Sequence, residues 1–286
     1  MNITLLTFDT IDSTNTEALK QARLGADEGV CIVARQQTSG RGRHGRQWVS
    51  EQDAGLYFSI VLRPKIETQF LPLITLMTGV AVHDTLAEFG IAADIKWVND
   101  LHVNGKKICG ILAETTDTPT GLAVVVGIGI NLRSSNFPPE IADTATSIQK
   151  QLPMSVPPAV AGGLTEPPDL SAIVTNGPNS PPYEGGVAAA SADGVVLPST
   201  LAESLTKYIS YFYTILRSDD GPANIIDEWR KRSSYFSGKP VRVVLENESL
   251  EGITDGLEPN GALRVRRKDG TLTIVQAGDV EQLRAK

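Results

Sequence analysis

Between residues 151 and 200 the chain carries no Lys or Arg, one aromatic residue (Tyr183) and nine of its 17 prolines. A stretch of that composition cannot bury enough apolar surface to offset the entropy of ordering it. It is expected to be a disordered, Pro-rich insertion at about residues 151–198. The folded parts must then come from about residues 1–150 and from about residue 199 onward. That is enough chain for one substantial core and a smaller companion domain. The acids Glu166, Asp169, Glu184 and Asp193 supply four of the seven net negative charges of the whole chain. A generic polyanion binder would be basic, so charge argues against DNA or RNA as a partner.

The first part alternates strand-like and helix-like stretches. ITLLTF (Ile3 to Phe8) reads as a strand. Thr14-Asn15-Thr16-Glu17 has capping-box spacing and should open a helix running to about Leu24, with Gly25 as its stop. GVCIVARQ (Gly29 to Gln36) and LYFSIVLR (Leu56 to Arg63) are strands rich in β-formers. Pro72 suits the first turn of a helix whose stripe is Leu73, Leu76, Met77, Val80 and Leu86, ended by Gly90. ADIKWV, KKICGILAE and LAVVVGIGINL follow as strand runs, with Asn104-Gly105 as a hairpin turn. The pattern predicts an α+β fold: a mixed or mainly antiparallel sheet backed by helices.

After the insertion, Thr200 to Glu203 again has capping-box spacing, and Leu201, Leu205, Tyr208, Ile209, Phe212 and Leu216 form a helical stripe. A short helix is expected over Pro222 to Arg232, with Ile225, Ile226 and Trp229 on one side. From Pro240 come five short strand-like runs, VRVVLE, SLEGIT, ALRVRR, LTIVQ and DVEQL, which suit a small β-barrel. The expected organisation is therefore a domain over 1–237, interrupted by the insertion, and a second over 238–286. Cys31 and Cys109 sit in apolar runs without CxxC spacing and read as buried, reduced thiols. The first residues lack the basic and apolar regions of a signal peptide, and no window approaches about 18 consecutive apolar residues. A soluble, cytoplasmic protein with no membrane partner fits these features.

Four segments carry chemistry. In Gly40-Arg41-Gly42-Arg43-His44-Gly45-Arg46, glycines let the backbone turn and approach a ligand, and arginines supply fork-shaped donors for phosphate or carboxylate. Such a loop is either a lid ordered by an anion, a polynucleotide contact or a solvated hairpin tip; Trp48 behind it is a core or wall aromatic. In Lys96-Trp97-Val98-Asn99-Asp100 and Gly105 to Ile111, strand alternation puts Lys107, Cys109 and Ile111 on one face. A lysine on an inward face needs an anionic partner, so Lys107 holds a carboxylate or phosphate unless that face is solvated. Asn99 and Asp100 are site residues or turn residues. Gly127-Ile128-Gly129-Ile130-Asn131 marks close approach of a ligand or another backbone. Asp12-Ser13-Thr14-Asn15 is accounted for by helix capping alone. The three histidines, His44, His83 and His102, show no ligand spacing, and His83 reads as a structural residue of its helix.

Taken together, SGRGRHGRQW (Ser39 to Trp48), KWVND (Lys96 to Asp100) and GKKICGI (Gly105 to Ile111) resemble the biotin protein ligases. The resemblance covers residues 1 to about 135, and more loosely the segment from 238 to 286. It implies a mixed catalytic sheet of the class II synthetase type, as in biotinyl and lipoyl ligases, with a small SH3-like C-terminal β-barrel. It implies an ATP- and Mg²⁺-dependent enzyme that activates biotin as biotinyl-5′-AMP and passes it to a lysine of an apo biotin carboxyl carrier protein. By the same resemblance Ser13, Thr14, Asn15, Gln37, Gly40 and Gly129 bind biotin. Arg41 meets biotin and phosphate, Arg43 holds the adenylate, and Arg46, Asn99 and Asn131 contact the nucleotide. Lys107 bridges biotin carboxylate and α-phosphate, Gly110 turns its amide to the carboxylate, and Trp48 walls the pocket. Asp100 orients the incoming lysine or, with Asn131, holds Mg²⁺. Val98 and His44 depart from the family pattern, and residues 151 to 200 have no counterpart. The chain begins at the catalytic strand, so no DNA-binding helix-turn-helix is expected; a homodimer is compatible. The rivals are a ligase for lipoate or octanoate, a nucleic-acid binder using the arginine loop, and a ligand-binding module without turnover.

Overall fold

The computed structural model describes residues 1–133, 137–152, 198–245 and 248–282. The expected Pro-rich insertion lies outside these residues, apart from its first two and its last. Seven strands form one sheet: β1 (Thr4–Ile11), β2 (Val30–Gln37), β3 (Gly55–Leu62), β4 (Asp94–Lys96), β5 (Asp100–Val103), β6 (Lys106–Thr118) and β7 (Gly121–Asn131), in the order β1-β2-β3-β7-β6-β5-β4. β1 and β2 run parallel, and every other neighbouring pair is antiparallel. The β1–β2 crossover is the helix α1 (Thr14–Arg23). The sheet is thus mixed and mainly antiparallel, within the expected class, with β1–β2 as its one parallel pair among the described strands. Asn104 and Gly105 turn the β5–β6 hairpin with φ of 51° and 75°, the left-handed pair that a two-residue turn requires.

The two faces of the sheet are covered unequally. On one face Phe58, Ile60, Leu62, Val124, Val126, Ile128 and Ile111 pack against α2 (Leu73–Glu88), α5 (Pro198–Leu216) and α6 (Gly221–Arg232) in a single apolar cluster. Phe58, Ile60 and Leu62 are fully buried; withdrawing each such side chain from water is worth roughly 1.5–3 kcal/mol. The stretch Thr68–Glu88 has the length and hydropathy of a membrane span. It is not a run of consecutive apolar residues, being interrupted by Thr75, Thr78, His83 and Asp84, and most of it is buried. α2 is apolar on nearly all sides because sheet and helices enclose it. On the opposite face α1 sets Ala18 and Ala22 over Ile32, Val61, Ala123 and Val125. With ten residues it spans only about 15 Å, and the rest of that face stays open.

The small C-terminal sheet contains β8 (Ser237–Val244), β9 (Ser249–Leu257), β10 (Leu263–Arg266), β11 (Leu272–Val275) and β12 (Asp279–Gln282), in the order β11-β10-β9-β8-β12. All five expected strands are present. Among the described residues β11 and β12 are edges, so the sheet is an open form of the barrel. It is not packed as an independent body. Val241, Val243, Leu250, Leu263 and Val265 belong to the same cluster as α2, and Trp97 Nε1 donates to Gly261 O at 2.9 Å. Two short helices, α3 (Pro139–Ala142) and α4 (Ile148–Gln151), follow β7.

Three local expectations fail. Thr14 is not a helix cap: Ser13 is the N-cap, and its side chain makes no capping hydrogen bond. Thr200 does not open α5, which is already under way at Pro198. Lys107 does not share a face with Cys109 and Ile111. Leu101 pairs with Cys109 but His102 pairs with Lys107, so Ile108 is an extra residue at a β-bulge. An inserted residue reverses the side to which everything before it points. Cys109 and Ile111 face the helices, and Lys107 emerges on the open face beside Gly110.

Candidate active site

The open face carries glycines where other strands carry side chains. A cross-strand row runs Lys96, Asp100, Gly110, Gly129, Tyr57 through four successive register pairs. Two residues along β7 lies Gly127. A Cβ on Gly129 would sit 2.4 Å from Trp48 Cε2, and one on Gly110 2.8 Å from Trp48 Cζ3. A Cβ on Gly127 would sit 2.1 Å from Asn15 Oδ1. These glycines are required by close approach, since anything larger would expel a neighbour. The result is a cavity of about 460 Å³ roofed by the arginine loop, within the range of small-molecule sites.

At the Gly127 end the polar groups that line the cavity, Thr14, Asn15 and Gln37, are uncharged and tied into one network. Gln37 Oε1 accepts from Thr14 N at 2.8 Å and from Thr14 Oγ1 at 3.1 Å. Gln37 Nε2 donates to Ser50 Oγ at 2.7 Å. Ser59 Oγ bridges Thr14 Oγ1 and Asn15 Oδ1 at 2.8 and 2.6 Å. Asn15 Nδ2 donates to Leu112 O and to Glu114 Oε2, the latter at 2.8 Å. Thr14, Asn15 and Ser59 are buried, and each finds partners, as burial demands. Thr14 therefore serves the cavity wall rather than the helix end. Glu114 closes the chain: its other oxygen takes Arg41 Nη2 at 2.6 Å.

At the Gly110 end the groups are charged. Lys107 Nζ lies 2.7 Å from Asp100 Oδ1, within 3.2 Å of where a Gly110 Cβ would be, and 5.4 Å from the centroid of the Trp48 ring. Burial opposes ionisation of Asp100, but the adjacent His102 ring, Lys107 and Lys96 outweigh it and hold the carboxyl well below the usual range. Lys96 is also shifted down, which for an amine disfavours the charged form. Its burial and the like charge of Lys107 lower its pKa, against the pull of Asp100, Asp279 and Glu281. Lys107 thus faces the cavity beside Asp100, while Lys96 stands outside the lining under the pull of three carboxylates.

The arginine loop folds across this end. Arg41 bridges to Gln47, Gly42 N donates to Arg46 O, and Trp48 N donates to Gly40 O. His44 holds a left-handed φ of 54°, a conformation in which histidine is enriched. Arg43 Nη1 donates to Asn99 Oδ1 at 3.1 Å and Arg46 Nη2 meets Asp279 Oδ2 at 2.6 Å. Asn99 is itself fixed by its amide on Ile111 O. The loop is a roof anchored by ion pairs rather than a detached lid.

Beyond Asn131 the wall passes to the segment before α4. Lys107 N donates to Thr144 O, Thr146 N to Lys107 O, and Asn131 Nδ2 to Thr146 O at 3.0 Å. Asp100 lies against Lys107, and Asn131 Nδ2 donates to Thr146 O. Among the described residues no group of three His, Cys, Asp or Glu side chains converges. A Mg²⁺ ion would have to arrive held by phosphates, as is usual for that ion.

The cavity wall contains Ser13, Thr14, Asn15, Gln37, Arg41, Arg43, Arg46, Trp48, Asn99, Asp100, Lys107, Gly110, Gly129 and Asn131. Of the residues singled out from sequence, Gly40 alone stands behind it, wedged against Trp48 O and Ser50 Oγ. Its role is clearance for the loop. Sequence inspection missed Ser59, Glu114 and Asp279, and gave Lys96 no role of its own. Period-2 alternation could have flagged Ser59 as a polar residue in an otherwise apolar strand. Nothing local points to Asp279.

Comparison with known proteins bears on this arrangement. Residues 7–131 match the model of the Biotin/lipoate A/B protein ligase family, and residues 236–282 match the Biotin protein ligase C terminal domain. A Biotin--[acetyl-CoA-carboxylase] ligase from Paracoccus denitrificans is 30% identical over 271 residues, 93% of this chain and 95% of that one. A Bifunctional ligase/repressor BirA from Bacillus spizizenii is 43% identical over 150 residues, 51% of this chain; the match spans less than half, 46%, of that relative's length. A biotin protein ligase from Aquifex aeolicus in complex with biotin and ATP shares the fold, with a TM-score of 0.71 at 24% identity over 98% of this chain and 99% of that one.

Proposed function

The chain belongs to the biotin protein ligase family, and from that premise we propose that it joins biotin to a lysine of a carrier protein. Biotin's carboxylate attacks the α-phosphate of ATP, forming biotinyl-5′-AMP and releasing pyrophosphate. The carrier lysine then attacks the acyl carbon of this mixed anhydride, and AMP leaves. The difficulty is electrostatic, because a carboxylate and a triphosphate repel each other. A site that supplies fixed positive charge and orientation lowers that barrier.

One observation carries the proposal: a single cavity is neutral and hydrogen-bonding at one end and cationic at the other. The two ends suit a molecule with an uncharged polar ring and an acidic tail. Thr14, Asn15 and Gln37 would hold the ureido ring with Ser59 bracing two of them from behind, and Trp48 would cover the apolar body over Gly129. Lys107, two residues further along the sheet, would exchange Asp100 for the biotin carboxylate and α-phosphate. Gly110 leaves room for that contact. Arg41, Arg43 and Arg46 would take the phosphates, with Asn99 fixing Arg43. Asp100, freed from Lys107, would orient the incoming amine. Mg²⁺ would enter with ATP and screen its phosphates. Residues 1–237 would then form the catalytic unit and 238–286 a supporting one, in the cytoplasm.

The test is direct. The protein is incubated with ATP, Mg²⁺, biotin and an apo carrier domain, and the carrier is weighed by mass spectrometry. Gain of one biotinyl group is expected; an unchanged carrier with no pyrophosphate released would overturn the proposal. A thermal shift with biotin but not with lipoate separates this activity from that of the related acyl ligases.

A further inference from the structure

We propose that Asp279, on the C-terminal sheet, is an internal competitor for the nucleotide's phosphates, held on the arginine loop until ATP displaces it. The inference rests on the proposed function, because it needs the cavity to bind a triphosphate.

The geometry is specific. β12 is an edge strand hydrogen-bonded only to β8 among the described strands, and its first residue points into the mouth of the cavity, where Asp279 is part of the wall. Its carboxylate meets Arg46 Nη2 at 2.6 Å, and the preceding carbonyl, Gly278 O, accepts from Arg43 Nη1 at 3.4 Å. Two of the three loop arginines are thus engaged by consecutive residues of the small sheet. Gly278 has a φ of 152°, and a Cβ there would lie 2.9 Å from Val243 Cγ1 and 3.0 Å from Val244 O. Glycine is therefore needed for the path that delivers Asp279. Trp97 and the shared core hold the sheet in that place.

A carboxylate on an arginine presents the same charge and lone-pair geometry as a phosphate oxygen. Asp279 is about 29% exposed at its side chain and Arg46 about 72%, so the pair is partly solvated and exchangeable rather than locked. A phosphate group that takes Arg46 must replace this contact, and the affinity for ATP is lowered by what the contact is worth. Asp279 then also closes the loop again once pyrophosphate departs.

The experiment is calorimetric titration of ATP, and separately of inorganic triphosphate, into the full-length protein without biotin. Asp279→Asn should bind both about fivefold more tightly, the equivalent of about 1 kcal/mol for a partly exposed pair. The gain should shrink in high salt and vanish in an Arg46→Gln background. Biotin affinity should stay unchanged, and folding stability should fall by no more than the roughly 1 kcal/mol that the contact is worth; Asp279→Ser serves if the asparagine variant folds poorly. Equal or weaker triphosphate binding by both folded variants would overturn the inference while leaving the enzymatic proposal standing. Failure of the wild-type protein to bind ATP would overturn the function itself, and the inference with it.

Discussion

Replacing Gly127 by alanine puts a methyl carbon 2.1 Å from Asn15 Oδ1, where ordinary contact needs more than an ångström of further separation. Asn15 cannot retreat freely. It is buried, accepts from Ser59 at 2.6 Å, and donates to Leu112 O at 3.2 Å and to Glu114 at 2.8 Å. A shift of that size breaks at least two of these bonds. Each lost bond costs about 1 kcal/mol, and overpacking adds roughly 1–3 kcal/mol. The Gly→Ala backbone effect returns about 0.5–1 kcal/mol. The net expectation is a loss of roughly 2–4 kcal/mol, a large share of the stability of an ordinary domain. Because Asn15 is also proposed to bind the ureido ring, biotin affinity should fall by at least about tenfold. Urea denaturation gives the first quantity and biotin calorimetry the second. Gly105→Ala is the comparison. Its φ is 75° with nothing within 4 Å of the added carbon, so it should cost about 1 kcal/mol and leave biotin binding alone. A Gly127→Ala protein within about 0.5 kcal/mol of wild type, with unaltered biotin affinity, would refute the assignment of this glycine to clearance.

Other outcomes follow from the charged end. Lys107→Ala should fold, yet reduce biotin-dependent pyrophosphate release at least about a hundredfold, the worth of two charge-assisted hydrogen bonds; near-normal turnover would contradict the bridging role. Arg43→Gly removes the contacts to Asn99 and Gly278, so biotinyl-5′-AMP should escape early, and mass spectrometry should find biotin on bystander lysines. Asp100 has a folded-state pKa depressed below that of the unfolded chain, so its contribution is fully present above about pH 4 and lost as acid approaches the lower value. The stability gap between wild type and Asp100→Asn should be flat from pH 8 to about 4 and close below that. A gap that instead changes between pH 6 and 8 would implicate a different group.

Much of this was legible locally. Asn104-Gly105 named its own turn, the stripe on α2 named part of what that enclosed helix buries, and the glycines and arginines between Gly40 and Arg46 marked a loop built to meet an anion. These signals are local because backbone conformation and charge density are properties of short segments. The site's inner logic was not local. Thr14 looked like a cap because its spacing to Glu17 fits one, yet its hydroxyl is claimed by Gln37 and Ser59, residues 23 and 45 positions away.

By itself, then, the sequence determined the strand–helix alphabet, the mixed sheet, and the sign of the charge that gathers at Arg41, Arg43, Arg46 and Lys107. Tertiary structure decided which way those groups point and what holds them. One extra residue, Ile108, turned Lys107 away from the core and onto the open face. Pairing of distant strands joined Asn15 to Glu114 and Arg41, and a shared core carried Asp279 to Arg46 across 233 residues of chain. Side-chain period and composition are blind to such facts, because a bulge changes register without changing pattern, and an ion pair between distant residues exists only once the core has fixed both partners.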